Sequence, residues 1–333
     1  MAKIVAGIGT SHSPILVIKP QQWPDRVVQE MESEDLYDLD GNHLSYRQLA
    51  RQVGDRYAAV ATVDNFIQWD DRAQRALDHL ARDLDELSPD LVLIVGDDQE
   101  EMFGPNNQPA VSIFYGDKII TERTPHQGNT PQWVLDADKG YGADSHHEFE
   151  AAPQFARALI SSLIEQNIDV SSSRGVPAGG PYQGFGHAIT YPLLRLMGKR
   201  RVPVVPILLN TFYPPNQPTP SRCFDFGRAL RRAVESYPEP LRVLVLASGG
   251  LSHFVTDETL DAKVLKALCD GDERTLRTLP TKLLNSGNSE IRNWIVMGGA
   301  IAGLGLRMRW CEYVPVYRSP AGTGIGLAFA RWN

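Results

Sequence analysis

Cysteine is nearly missing from this chain. Three occur in 333 residues, Cys223, Cys269 and Cys311. An odd, widely spaced set excludes a disulfide scaffold and a cysteine-rich zinc site, and it fits the reducing cytoplasm where we expect the protein. Long apolar runs are missing as well, so no membrane-spanning segment is predicted. The opening MAKIVAGIGTSHSP is too short and too polar to read as a signal peptide or anchor. No block of Lys and Arg suggests a basic groove, and a formal net charge of −7 argues against nucleic acid as a partner. G-x-S-x-G, Walker A and H-E-x-x-H are all missing, which removes the standard signals for a serine hydrolase, a P-loop nucleotidase and a zincin. The GTGIG at Gly322–Gly326 opens no βαβ unit and so is not a dinucleotide fingerprint. Without a Gly-, Ser- or Pro-rich linker, a repeat or a low-complexity tract, residues 1–333 read as a single domain with an insertion at about residues 20–75.

What is present is core material: 42% hydrophobic and 22% charged residues, the balance of a globular protein. Leu91 to Phe103 reads LVLIVGDDQEEMF, five apolar residues, a glycine, and then four acids around an amide. A strand buried on both faces that releases polar residues at its carboxyl end is where open α/β sheets place their chemistry. Other strands end in the same manner. Lys3–Gly9 runs into His12, Val202–Leu209 into Asn210, and Leu241–Ala247 into Gly249, Gly250 and His253. Apolar spacing over Val63–Leu87 predicts an amphipathic helix leading into the strand at Leu91. Helical pieces are predicted over Trp23–Met31 and Ser45–Ala59. Ser145 with Glu148 reads as a capping box opening a helix at Phe149–Gln166. A Gly/Pro-rich loop, residues 175–187, ends in His187, and Pro192 suggests a helix starting near Tyr191. Glu290 opens the apolar helix Ile291–Ala302, where the helix dipole favours its ionised form. The expected fold is a three-layer α/β/α arrangement around a mostly parallel or mixed sheet, with a partly helical N-terminal insertion.

Imidazoles, carboxylates and an amide gathered at strand ends form a ligand set that leaves positions open. With Fe(II) such a site suits oxygenase chemistry and with Zn(II) hydrolysis, and the residues alone leave both open. His253 is the strongest single catalytic candidate. The segments GIGTSHSP, LVLIVGDDQEEMF, GFGHAITYPLLRLM, TFYPPNQPTPSRCFDFGRALRRAVES, LASGGLSHF and SGNSEIRNWIVMGGA resemble, in order, the successive blocks of the class III extradiol ring-cleaving dioxygenases. The well-known type is the β subunit of protocatechuate 4,5-dioxygenase. The tail YVPVYRSPAGTGIGLAF and the YPPNQP block look closer to the single-chain branch acting on gallate-like and methoxylated lignin-derived catechols.

The resemblance implies Fe(II) and O2, a small aromatic acid from lignin or related aromatic catabolism, and a homo-oligomer, commonly a dimer. It implies His12 and Glu290 as iron ligands, His253 as the acid–base histidine, and His187 as a second pocket histidine. The remaining ligand of the β subunit is a histidine in an Asn-Asp-His block, which here reads Asp97-Asp98-Gln99. Either Gln99 ligates through its amide oxygen, or Asp97, His146 or His147 takes its place, or tight iron binding is lost. Family substrates usually carry a carboxylate, and Arg318 with Tyr317 are the candidates to grip it. The rival readings are a zinc-dependent hydrolase or lyase on this scaffold and a non-catalytic binding protein.

Overall fold

Leu91–Asp97 is buried at all seven positions, as a strand covered on both faces must be. In the computed structural model, which describes residues 1–176 and 184–333, it is β4 of twelve strands among the described residues. These are β1 Lys3–Thr10, β2 Leu36–Tyr37, β3 His43–Leu44, β4 Leu91–Asp97, β5 Val111–Phe114 and β6 Lys118–Thr121, followed by β7 His147–Glu150, β8 Ser171–Ser173, β9 Val204–Leu209, β10 Arg242–Ser248, β11 Met308–Tyr317 and β12 Gly324–Trp332. Eight of them form one sheet in the order β11-β12-β1-β10-β4-β9-β5-β8, while β2 pairs with β3 and β6 with β7. The centre is parallel: β1 runs with β10, β10 with β4, and β4 with β9. β12 returns antiparallel along β1, and β5 runs antiparallel to β9, so the sheet is mixed.

Successive residues of the central strands feed opposite cores, as the two-residue pleat requires. Leu91, Leu93 and Val95 pack with Val243, Val245 and helix residues such as Phe224 and Trp294. Val92 and Ile94 pack with Leu244, Leu246 and Leu77 and Leu80 from the other side. One face is therefore covered by the helices Pro153–Glu165, Pro220–Ser236 and Ile291–Ile301, and the other by Val63–Leu87 and the segment from His187. The three-layer α/β/α expectation is met. Val63–Leu87 is a helix over the predicted span, with Phe66, Ala73, Leu77, Leu80, Leu84 and Leu87 on its buried stripe. Among the described residues, no helix is long and apolar enough to cross a membrane.

Two local expectations fail. Ser145 caps no helix: His147–Glu150 pairs antiparallel with Lys118–Thr121, and the helix starts only at Pro153, whose missing N–H suits a first turn. Gln132–Tyr141 forms a further helix between these paired strands. His187 itself begins the helix placed near Tyr191, so Pro192 lies inside it. Without an N–H at Pro192 the following turn widens, and the amide of Gly198 reaches back five residues to the Leu193 carbonyl. Residues 177–183 of the Gly/Pro-rich loop lie outside the described residues.

The predicted helical pieces of the insertion are Trp23–Glu30 and Tyr46–Val53. The second is capped by Ser45 with Gln48 and stopped at Gly54, whose φ of +63° favours glycine. Trp23 is fully buried beside Phe66, which fixes the first of these helices to the body of the protein.

Candidate metal centre and its cavity

Parallel strands deliver their carboxyl ends to one edge of the sheet. Thr10 pairs with Ser248 across β1 and β10, and Asp97 with Leu209 across β4 and β9. His12 follows β1 by two residues, and His253 follows β10 by five. Two helices aim their amino ends at the same edge and supply His187 and Glu290. His12, Asp97, His187 and Glu290 thereby come together, with one ligand atom from each within 4.8 Å of the others.

His12 is 3% exposed. Its Nδ1 lies 2.8 Å from Ser248 Oγ, which leaves Nε2 directed at two carboxylates, 3.3 Å from Glu290 Oε2 and 3.7 Å from Asp97 Oδ1. That nitrogen is buried and has no hydrogen-bond partner among the described residues. A buried imidazole nitrogen without a proton partner, facing two carboxylates, is the donor set of a divalent cation site. This cluster could hold a metal ion.

Asp98, Gln99 and Glu101, in the turn after β4, have distinct tasks. Asp98 caps the turn, accepting from the amides of Met102 at 2.8 Å and Phe103 at 3.1 Å. Burial, with Glu101 nearby, pushes its carboxyl up to about 7. Gln99 does not turn its oxygen to the cluster as expected of a ligand. Its Nε2 donates to Asp97 Oδ2 at 2.9 Å and to Glu290 Oε1 at 3.4 Å, because the amide N–H groups are the only donors it can offer two carboxylates. Asp97 is the residue of this turn that joins the cluster. Glu101 turns back, accepts from the Gln99 amide at 2.6 Å, and meets His187 Nδ1 at 2.5 Å. A side chain at Gly186 would put its Cβ 2.3 Å from Glu101 Cδ, so this contact requires glycine.

Asn293 and Trp294 tie the late helix to the strand ends. Asn293 Nδ2 donates to the Ser248 carbonyl at 2.8 Å and to Asp97 Oδ1 at 3.2 Å, and Trp294 Nε1 donates to the Gly249 carbonyl. Glu290 also accepts from the Gly250 amide at 2.6 Å and sits 3.0 Å from His253 Nε2. The other His253 nitrogen, Nδ1, donates to the Leu251 carbonyl at 2.9 Å, which fixes the ring and leaves Nε2 as the exchangeable position. Gly287 lies against that ring, and a Cβ there would come within 2.1 Å of it.

Burial and Glu290 push Asp97 above the usual carboxylate range. For Glu290 burial acts in the same direction, but His253 and His12 outweigh it and hold the group well below its ordinary value. Burial lowers His187 and His253, yet the facing carboxylates reverse the outcome. Glu101 brings His187 to about 10, and Glu290 raises His253.

The cluster forms one wall of a cavity of about 200 Å³. Gln99, His187, His253 and Glu290 line it together with Arg26, Tyr141, Phe254 and Arg318. Arg318 is where the sequence placed it, at the cavity, but its guanidinium is held by Glu30 at 2.6 and 2.9 Å. Tyr317 is not in the lining. Its ring stacks on Tyr57 and its hydroxyl donates to Glu258. His146 and His147 stay on the β6–β7 hairpin, paired with Glu122, Glu148 and Asp144, and are not brought to the cluster. Arg26, Tyr141 and Glu101 escaped the sequence reading. Only Glu101, in the acidic run after β4, carried a signal that could have found it.

Several named proteins share part of this chain. A gallate dioxygenase of Pseudomonas putida is 30% identical over 173 residues, 48% of this chain and 48% of that protein. A 2,3-dihydroxyphenylpropionate/2,3-dihydroxicinnamic acid 1,2-dioxygenase of Photorhabdus laumondii is 28% identical over 181 residues, 54% of this chain and 48% of that protein. An enzyme of the same name from Comamonas testosteroni is 33% identical over 106 residues, 31% of this chain and 30% of that protein. The chain thus spans about half or less of the length of these relatives. Over residues 7–324, from inside β1 to the first residue of β12, it matches the family described as the catalytic LigB subunit of aromatic ring-opening dioxygenase, and it belongs to that family.

Proposed function

We propose that this chain opens a catecholic ring beside its two hydroxyls, using Fe(II) and O2 on a gallate-like or lignin-derived aromatic acid. The observation that carries the reading is His12 Nε2, buried between Asp97 and Glu290 on the wall of a cavity and without a hydrogen-bond partner among the described residues. His12, Glu290 and Asp97 would hold the metal. Gln99 would hold both carboxylates by donating to them, in place of the ligand role its position suggests. When bound, the iron acidifies the catechol hydroxyls and provides the redox centre that oxygen chemistry requires.

The remaining work falls to side chains. His253 takes a hydroxyl proton at Nε2, since its Nδ1 proton is committed to Leu251, and returns it later. His187, charged by its contact with Glu101, stabilises negative charge developing on oxygen. Phe254 and Ile325 supply apolar walls that keep water from the ring.

The test is metal analysis after anaerobic purification, followed by oxygen uptake on a panel of catechols and gallates. Iron with a yellow ring-opened product is expected. Zinc without uptake, or no metal and no uptake, overturns the proposal.

A further inference from the structure

The wall of the cavity away from the metal cluster carries a charge that the protein leaves uncompensated. Two guanidiniums, Arg26 and Arg318, line the cavity and share one carboxylate, Glu30. That carboxylate is committed to Arg318, whose Nη2 and Nε donate to Oε1 at 2.6 and 2.9 Å. Its other oxygen, Oε2, accepts from Thr323 Oγ1 at 2.7 Å. Arg26 Nε stands 3.3 Å from the oxygen that already takes both Arg318 donors, and it has no hydrogen-bond partner among the described residues. Aromatic rings hold the Arg26 guanidinium in place, with its carbon 5.3 Å from the Trp133 ring centroid and 6.0 Å from that of Phe254. Among the described residues Glu290 is the one acid in the cavity lining, and it already meets His253, His12 and the Gly250 amide. One positive charge therefore remains on this wall. Burial, followed by the like charge of Arg318, lowers the Arg26 pKa, so an anion bound here relieves a penalty the empty wall carries.

We propose that Arg26, backed by the Arg318–Glu30 pair, is the subsite for the carboxylate of the substrate, and that it selects carboxylated over uncharged catechols. The inference rests on the ring-opening reading above. It moves the gripping role from Arg318, which Glu30 neutralises, to a residue of the N-terminal insertion. Tyr141 borders the same cavity with a hydroxyl that has no hydrogen-bond partner among the described residues, and it stands as a neutral donor beside Arg26.

The experiment measures kcat/KM of the iron-loaded enzyme for 3,4-dihydroxybenzoate and for catechol, in wild type, R26K and R26M. The ratio between the two substrates cancels general damage to fold or metal site. R26M should lower that ratio by about 10- to 100-fold, chiefly through KM for the carboxylated substrate, as expected for loss of a charge-assisted hydrogen bond. R26K, which keeps the charge without the fork, should fall between. A ratio within about threefold of wild type in R26M overturns the proposal. Calorimetric binding of benzoate to each protein gives a readout independent of turnover, with thermal unfolding as the control for folding. Benzoate binding weakened in R26M supports the subsite, and binding equal to wild type overturns it. If wild type opens neither ring, the ring-opening reading fails, and the benzoate measurement alone decides for or against the anion subsite.

Discussion

The two walls of the cavity are charged in opposite senses and built by opposite strategies. On one wall Glu290 lines the cavity with His12, His187 and His253, backed by Asp97 and Glu101, and these residues come from the ends of sheet strands, the turn after β4 and the starts of helices. On the other, Arg26 and Arg318 share Glu30, and Arg26 and Glu30 come from a helix in the irregular insertion. The first wall is a scaffold product: parallel strands and helix amino ends converge there in any protein of this architecture. The second depends on one short helix being pinned by Trp23. A rigid cluster suited to a cation and an added cationic wall together define a ligand with a chelating end and an anionic end.

The largest effect should come from breaking the first wall at its centre. Replacing His12 or Glu290 by Ala removes a donor from the cluster and leaves buried charge facing a void. Metal content should fall by at least about a hundredfold at limiting iron, the range seen when ligand shells are disturbed, and oxygen uptake should disappear. A variant that keeps its full metal content would show that the cation is held elsewhere.

His253 separates ligation from proton transfer on that wall. It contacts Glu290 but is not among the four clustered residues. His253→Ala should keep its iron and lose about 10²- to 10⁴-fold in kcat, the usual worth of a positioned acid–base group. Iron loss in that variant would make His253 a ligand instead.

Legibility from sequence divides along the same line between the walls. β4 could be read because a strand covered on both faces must be apolar throughout, and His12, His253 and Glu290 because each follows or opens such an element. Arg26 carried no such mark. It lies in a polar stretch, and its meaning depends on Glu30 meeting Arg318, 288 positions away. The Ser145–Glu148 pair shows the converse: a local capping pattern was present, but pairing of His147–Glu150 with Lys118–Thr121 overrode it. The position of Gln99 was legible in the chain, but which amide atom faces the cluster depends on the two carboxylates it meets, one of them 191 positions away.

A smaller effect on turnover is expected at Glu101. It holds His187 as an imidazolium, with a pKa of about 10. Glu101→Gln keeps a hydrogen-bonding side chain but removes the charge. Only Asp97 and Glu290 then oppose burial, so the pKa of His187 should fall from about 10 and the ring should lose its charge in the alkaline range. The kcat at pH 8 should drop about tenfold and recover in part toward pH 6, as read in a full pH profile beside wild type. An unchanged alkaline limb would mean that the charge on His187 plays no part.

The smallest effect on turnover, and the clearest one on stability, belongs to a group on neither wall. Asp261 lies under the loop that carries His253. It accepts from the Ser252 amide at 2.8 Å, the Ser252 hydroxyl at 2.7 Å and the Tyr313 hydroxyl at 2.7 Å. Burial raises its pKa to about 7 against these three donors. Its contribution to stability is therefore complete below about pH 4, where folded and unfolded chains both hold the proton. Between about pH 4 and 7 the unfolded chain ionises while the folded one does not, and stability is lost by up to about 4 kcal/mol. Above about pH 7 both are ionised and the loss levels off. Asp261→Asn cannot ionise and should lack this slope. Urea unfolding of the two proteins at pH 4.5 and 7.5 should show the variant gaining on wild type as pH rises, and a gap that stays constant would mean that Asp261 is already ionised in the folded protein at pH 4.5. Because the substitution leaves the charges of both walls in place, the ratio of carboxylated to uncharged catechol turnover should stay within about twofold of wild type. A larger change would mean that the loop beneath His253, and not the opposition of the two walls, sets the selectivity.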